Sequence, residues 1–326
     1  MRQRRVKAVP EILVQDFDKT DQFSSPDPAG FIFFMNNQQN IDDNQTPLCR
    51  VAIQGIAGCF HDAAAREFFH GDITPVECDT FDSLVRQVAD DASLRGLMAI
   101  ENTIAGPLLD NHELLRTNNV MIVGEHKKRI SHVLAALPGQ SLRDIYQVES
   151  HPMALMQCRE FLSSPANPSW RMVEAFDTAG AAANIAEHKL EGHAAVCPAW
   201  AAELYGLDIL QDSIETNKHN FTRFLAVRSK NAPKPSGEFD KASIVFSLPH
   251  TQGALSKVLT IFSFYEMNLS KIQSLPIVGR EWEYRFYVDL TFESSARYRQ
   301  AISAALPLMG DFRLLGEYAD SPTPEI

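Results

Sequence analysis

RVAIQGIAGCFHDAAAREFF, residues 50–69, decides the fold class. Val51 to Ile53 form a short apolar run that reads as a buried strand, and Gly55 and Gly58 bracket a turn. A helix is predicted from Phe60 to Phe69. A buried strand that runs straight into a helix is the repeating unit of α/β proteins. The segment Gly55-Ile56-Ala57-Gly58 admits two readings. It is either a loop that holds an anion or a glycine turn needed only for tight strand-to-helix geometry. It lacks the full dinucleotide pattern and the Walker lysine, but the helix start beyond it offers backbone N–H groups to a carboxylate.

The alternation continues outward. Phe81, Leu84, Val85 and Val88 fall at i, i+3, i+4 and i+7 behind Thr80 as N-cap, which predicts a second helix. Leu97–Ile100 reads as a buried strand ending at Glu101-Asn102-Thr103. Further strands are predicted at Val120–Val123, Ile130–Leu137, Ile145–Val148 and Arg171–Ala175, and helices at Pro152–Leu162, Thr178–His188 and Pro198–Tyr205. Strands that alternate with helices give a mostly parallel sheet, with ligand sites at the strands' C-terminal ends. The basic run Lys127-Lys128-Arg129 reads as a solvated surface turn.

Residues 1–48 differ. Ser24–Pro28 and Asn36–Pro47 are rich in Asn, Gln, Asp, Ser and Pro, so this extension is expected to be disordered. Phe31-Ile32-Phe33-Phe34 stands directly before Met35, and one reading starts translation there. The composition breaks again at Ser229–Glu238, with Pro233, Pro235 and Gly237, so residues 229–239 read as a linker. Beyond it the expected order is a strand at Ile244–Leu248, a helix led by Gly253, strands at Leu269–Ser274 and Tyr284–Leu290, a helix at Ala296–Leu306, and a strand at Phe312–Glu317. This is the ferredoxin-like βαββαβ arrangement, over residues 240–320.

The 326 residues suit about two domains. A net charge of -11 argues against nucleic acid or an anionic membrane as partner. An acidic substrate would then need a local cationic site. The five cysteines are scattered and form no CxxC pair or zinc spacing, as in a reduced cytoplasmic protein. No apolar run approaches the roughly 20 residues of a membrane span, and Val9–Val14 is too short for a signal-peptide core. No Ser/His/Asp order, nucleotide motif or metal cluster stands out. The chemistry is therefore expected to need no cofactor and no metal, and to rest on placement, hydrogen bonding and charge.

The stretch Asn220-Phe221-Thr222-Arg223-Phe224 puts a carboxamide, a hydroxyl and a fixed cation on one extended segment. Alternation sends Asn220, Thr222 and Phe224 to one face, and Phe221 and Arg223 to the other. Asn102, Thr103 and Gly106 follow a buried strand, where polar groups either face a ligand cleft or cap a turn. Ser150-His151-Pro152, with Gln157 further on, has the form of an N-cap and helix start. Ser150 is the expected cap and His151 a hydrogen-bonded structural histidine. Asp177-Thr178-Ala179 opens an alanine-rich helix, where Ala179–Ala183 allow close approach of a ligand or of another helix.

Taken in order, GIAGCFHDAA (55–64), AIENTIAGPL (99–108), ESHPMALMQC (149–158), DTAGAAA (177–183), YGLDIL (205–210) and NKHNFTRF (217–224) resemble prephenate dehydratase. Lys241–Tyr318 resembles its ACT regulatory domain. The resemblance implies a catalytic part over residues 49–228 built of two periplasmic-binding-protein-like subdomains, with the active site between them. It also implies a homodimer or homotetramer, prephenate as substrate and L-phenylalanine as effector. The family reaction converts prephenate to phenylpyruvate, CO2 and water. On that reading Thr222 hydrogen-bonds the leaving ring hydroxyl, and Arg223 orients a carboxylate or braces the site. Asn220, Asn102, Thr103 and Thr178 supply neutral donors, with Gly106 and Phe224 beside them at the substrate. Gly253, Ala254 and Leu255 would hold the effector together with Gln273, Ser274, Leu275 and Pro276.

The chain departs from the family pattern in places. The first motif usually reads Thr or Ser, an aromatic, Ser and Glu, and here it is Cys59, Phe60, His61 and Asp62. Asn-Ser is Asn102-Thr103, the usual Gln after His-Pro is Met153, and Glu-Ser-Arg-Pro is Gln273-Ser274-Leu275-Pro276. Two other functions fit the same scaffold. One is an arogenate dehydratase, acting on the amino analogue of prephenate. The other is a non-catalytic amino-acid sensor, which has no evident need for Asn220, Thr222 and Arg223 together.

Overall fold

The computed structural model describes residues 49–233 and 236–322. The expected disorder of residues 1–48, the Met35 start and Pro235 of the linker lie outside the described residues. The chain opens with β1 (Cys49–Gln54), α1 (Phe60–Phe69), β2 (Ile73–Cys78), α2 (Phe81–Asp90), β3 (Arg95–Asn102), the two-residue β4 (Gly106–Pro107), α3 (Leu109–Thr117) and β5 (Val120–Arg129). It then crosses into a second sheet. There it forms β6 (Val133–Ala136), β7 (Gln147–Ser150), α4 (Pro152–Gln157), α5 (Arg159–Leu162), β8 (Arg171–Glu174), α6 (Thr178–His188), β9 (His193–Cys197), α7 (Ala199–Leu204) and β10 (Asp208–Gln211). It returns to the first sheet as β11 (Phe221–Ser229). The last part is β12 (Lys241–Leu248), α8 (Ala254–Phe264), β13 (Asn268–Pro276), β14 (Tyr284–Thr291), α9 (Ser295–Ala305) and β15 (Gly310–Tyr318).

The helices start where their caps place them. Thr80 Oγ1 accepts from the Ser83 N–H at 3.1 Å, and Asp177 Oδ1 accepts from the N–H groups of Ala179 and Gly180 at 2.7 and 3.0 Å. The apolar stripe of α2 buries Leu84, Val85 and Val88. In α6, Ala179, Ala181 and Ala182 are buried in a cluster that also holds Val51, Cys59 and Ala201. Close packing of the two lobes is thus what the small residues allow.

Strands β2, β1, β3, β11 and β5 lie side by side in one sheet, and β11 runs antiparallel to both neighbours. The second sheet has the order β10-β6-β9-β7-β8. The chain passes between the sheets twice, at 130–132 and 212–220, and the Ile130 N–H donates to the Asn220 carbonyl at 2.7 Å to tie the crossings together. The final module has the order β15-β12-β14-β13, the ferredoxin-like topology expected from its βαββαβ sequence.

Three local expectations differ. The strand begun at Val120 continues through Lys127-Lys128-Arg129 instead of turning there. The cations are stable in a sheet because each meets an oxygen: Lys127 Nζ donates to the Ser321 carbonyl at 2.6 Å, Lys128 pairs with Glu67, and Arg129 with Glu215 at 2.8 Å. The strand predicted from Ile130 shortens to β6, since 130–132 form the crossing. The helix predicted over Pro152–Leu162 breaks at Cys158.

The module does more than follow a linker. Its β15 joins the edge of the catalytic sheet, with Gly316 opposite Ile122 of β5 in parallel register, so one sheet of ten strands runs through both. Glycine is required at that point, because a Cβ on Gly316 would stand 2.2 Å from the Ile122 carbonyl oxygen. Val245, Tyr287 and Leu315 of the module complete an apolar cluster with Leu115, Ile122 and Val227. Gly316→Ala is expected to cost about 1–3 kcal/mol through overpacking, seen as a lower urea midpoint. An unchanged midpoint would mean that this contact carries no stability.

Candidate active site

The register of the central strands builds the site. Thr222 of β11 stands opposite Asn102 of β3 and opposite Lys128 of β5, so these three side chains share one face of the sheet. Arg223 stands opposite Glu101 and Lys127 on the other face.

The hydrogen bonds around Asn102 have fixed directions. Its Oδ1 accepts from the backbone N–H groups of Ile104 and Ala105, both at 2.9 Å, so its Nδ2 must point the other way. There it donates to Asn220 Oδ1 at 2.8 Å, to Thr222 Oγ1 at 2.9 Å and to the Phe221 carbonyl at 3.1 Å. Thr222 therefore accepts from Asn102, and among the described residues its own O–H has no acceptor. Asn220 Nδ2 in turn donates to Gln157 Oε1 at 3.2 Å. The same oxygen takes a bond from His132 Nε2 at 3.0 Å, which fixes the Nε2–H tautomer. Burial lowers the His132 pKa, against the opposing pull of Gln157 and Glu215, so the ring is neutral near pH 7.

Glu215 locks the crossings to each other. It is 2% exposed and accepts from Arg129 Nη2 at 2.8 Å, from Ser131 Oγ at 3.2 Å and from the His132 backbone N–H at 3.0 Å. The lobes also meet at Asp62. Its Oδ2 accepts from the Gly58 N–H and from Trp200 Nε1, both at 2.8 Å, so the shorter acid still spans the contact.

A family model for prephenate dehydratase matches residues 51–232. Arogenate dehydratase/prephenate dehydratase 6, chloroplastic, of Arabidopsis thaliana is 35% identical over 294 residues, which cover 84% of this chain and 70% of that protein. The chain belongs to the prephenate dehydratase family. As such it is a lyase of aromatic amino-acid biosynthesis. The bifunctional N-acyl-homoserine lactone acylase/prephenate dehydratase of Komagataeibacter europaeus is 32% identical, with 83% of this chain and 96% of that protein covered. The crystal structure of prephenate dehydratase in complex with L-Phe from Arthrobacter aurescens matches with a TM-score of 0.72 at 28% identity, over 84% of this chain and 92% of that one. No helix among the described residues is long and apolar enough to cross a membrane.

Several residues expected at the substrate of this dehydratase are committed elsewhere. The guanidinium of Arg223 does not face the site. Nε donates to Glu125 Oε2 at 2.7 Å, Nη1 to Asp289 Oδ2 at 2.6 Å and Nη2 to the Tyr318 hydroxyl at 3.2 Å. Of its two expected roles, orienting a carboxylate is corrected and bracing remains. Thr103 is not a free donor, because its hydroxyl donates to the His219 carbonyl at 2.9 Å and accepts from the Phe221 N–H at 2.9 Å. Asn102 likewise serves Thr222 and Asn220 and has no N–H to spare for a ligand. Phe224 is 1% exposed beneath the His61 ring and reaches no surface. Gly106, at φ +82°, closes the turn after Asn102. Thr178 is half-buried in the first turn of α6 and makes no side-chain hydrogen bond among the described residues.

The other motifs are settled in the same way. Ser150 does not cap α4. It donates to the Val196 carbonyl at 2.5 Å, and His151 Nδ1 is the cap, accepting from the Met153 N–H at 3.2 Å. The 55–58 turn is not an anion loop, because the Ala57 and Gly58 N–H groups already go to Glu77 and Asp62. Cys59 is buried, and burial pushes its thiol up to about 12. In the module, Gly253 caps α8 at φ +75°, with Ala254 and Leu255 in the first turn. Leu275 is half-buried against the apolar cluster under the catalytic sheet. Gln273 is half-buried, while Ser274 and Pro276 are exposed.

Gln157, His132, Glu215 and Lys128 join the site with little local signal. By sequence alone Gln157 reads as part of a helix start, and Lys128 as part of a surface turn. The polar pair Ser131-His132 between apolar Ile130 and Val133 was the one local hint. For Glu215, burial raises the carboxyl, but the His132 N–H, Lys218 and Arg129 outweigh this and hold it below its ordinary 4.5. A lowered folded-state value adds stability above pH 4.5 that is lost as pH falls through the folded value. The melting temperature is therefore expected to fall more steeply below pH 4.5 in the native chain than in Glu215→Gln. Parallel curves would show that Glu215 is not the titrating lock.

Proposed function

We propose that the protein is a prephenate dehydratase in which the free O–H of Thr222 meets the departing ring hydroxyl. The observation that supports this is the fixed direction at Asn102. Because its N–H occupies a lone pair of Thr222, the hydroxyl proton is left for a ligand. In the reaction the bond from ring carbon to carboxylate breaks and its electron pair enters the ring. The C–O bond opposite breaks as the ring becomes aromatic. The hydroxyl leaves with a proton as water, and CO2 departs. A threonine hydroxyl is a weak acid, so Thr222 acts as a positioned donor or relay from solvent. Asn220 keeps one N–H for the substrate, Gln157 Nε2 a second donor, and Thr178 a hydroxyl on the facing lobe.

Arogenate is the second reading, favoured by the name of the Arabidopsis relative. The same rung would serve it, because the leaving group and the lost carboxylate are the same. Purified protein given each substrate separately is expected to form phenylpyruvate from prephenate faster than phenylalanine from arogenate. The reverse order would replace the substrate, and no turnover of either would leave a sensor. Thr222→Ala is expected to fold and to lose roughly 10²–10⁴-fold in kcat. Near-normal kcat would remove the role of Thr222.

The same reading makes the ferredoxin-like module an ACT domain that binds L-phenylalanine, in a cytoplasmic homodimer or homotetramer. The L-Phe complex of the Arthrobacter relative supports it. The site would use the Gly253-Ala254-Leu255 helix start and the exposed Ser274 and Pro276. Titration calorimetry is expected to show saturable heat with L-phenylalanine and a matching change in rate. A flat trace with unchanged rates would rule out this effector.

A further inference from the structure

The face of the sheet that carries Thr222 and Asn102 has a counterpart on the reverse side. Arg223 and Glu101, each one residue from those two and paired with each other in register, point into the ferredoxin-like module. The module holds both of them. Lys271 of β13 pairs with Glu101. Asp289 of β14 pairs with Arg223 at 2.6 Å.

The contacts around Arg223 close into a ring with one consistent set of directions. Ser243 Oγ donates to Asp289 Oδ1 at 2.5 Å. The Tyr318 hydroxyl must then donate to Ser243 Oγ, 2.6 Å away, and accept from Arg223 Nη2. Asp289 completes the ring by accepting from Arg223 Nη1. Behind it, Lys241 Nζ bridges Glu125 and Asp320 at 2.8 and 2.7 Å. Arg223, Asp289, Ser243, Lys241 and Tyr318 are all buried, so a group that lost its partner here would be left charged or unsatisfied.

We propose that Lys271 and Asp289 are positioning residues for the active site. By fixing Glu101 and Arg223, they set the spacing of β3 and β11 at the single rung where Asn102 orients Thr222. The register is irregular between Arg223 and Phe224, so the rung is not held by regular pairing on both sides. The module is then part of the catalytic framework as well as an attached regulator, and a ligand that shifts β13 acts on the site directly. This rests on the dehydratase reading of Thr222.

The test uses the full chain and four variants. Lys271→Met and Asp289→Asn are each expected to lower kcat about ten-fold or more, with KM little changed. Backbone amides of residues 99–103 and 219–224 should exchange faster with deuterium. Lys271→Arg should restore kcat. Tyr287→Phe serves as a comparison: it removes the hydroxyl contact to Glu113 across the same interface, keeps the ring in its apolar cluster, leaves the Glu101 and Arg223 pairs in place, and should lower the melting temperature without changing kcat. If Asp289→Asn does not fold, Lys271→Met decides, since its partner Glu101 keeps 40% of its side chain in solvent. Native kcat and native exchange in Lys271→Met would overturn the proposal. If the native chain turns over neither substrate, the dehydratase reading fails, and the exchange data alone decide whether the module sets the rung.

Discussion

The hydrogen bond from Asn102 Nδ2 to Thr222 Oγ1 is the constraint around which the rest of the site is arranged. Its direction is set by two backbone N–H groups in the turn that follows β3, which hold the Asn102 oxygen. Everything further along inherits that direction: Asn220 must turn its nitrogen to Gln157, and Gln157 must accept from His132. A chain of neutral amides with no rotational choice is a preorganised environment. On the proposed reading, it positions a weakly acidic hydroxyl through hydrogen bonds from neutral amides.

The same two strands are held from behind by charge. The faces differ in kind: amide hydrogen bonds surround Thr222 toward the lobe junction, beside the Lys128–Glu67 pair, and buried ion pairs hold Arg223 toward the module. Separating them by the thickness of one sheet keeps Arg223, which would attract any carboxylate, committed to Glu125 and Asp289. The strong cation in the most informative stretch of the chain is therefore structural, and in the proposed function the chemistry falls to the residue beside it.

Much of the fold was legible because apolar runs and caps are local signals. The helix at Phe60–Phe69, the Thr80 cap, the Asp177 cap and the βαββαβ order follow from neighbours within a few residues. The alternation in Asn220–Phe224 correctly separated Thr222 from Arg223. It could not say which face meets ligand, because that depends on Glu125 in another strand and on Asp289, 66 residues further on. Lys127-Lys128-Arg129 lies in a strand and not a turn for the same reason: a basic run looks solvated until its counter-charges arrive from α1, from the second crossing and from Asp320. Gln157 and Glu215 had no local pattern, since their partners lie 63 and 83 residues away.

The most direct measurement is a double-mutant cycle on kcat between Asn102→Ala and Thr222→Ala. If Asn102 acts by orienting the Thr222 hydroxyl, the two losses belong to one unit, and the double variant will be about as slow as Thr222→Ala alone. Losses that multiply would show that the two residues act independently, and the rung would not be the unit of catalysis.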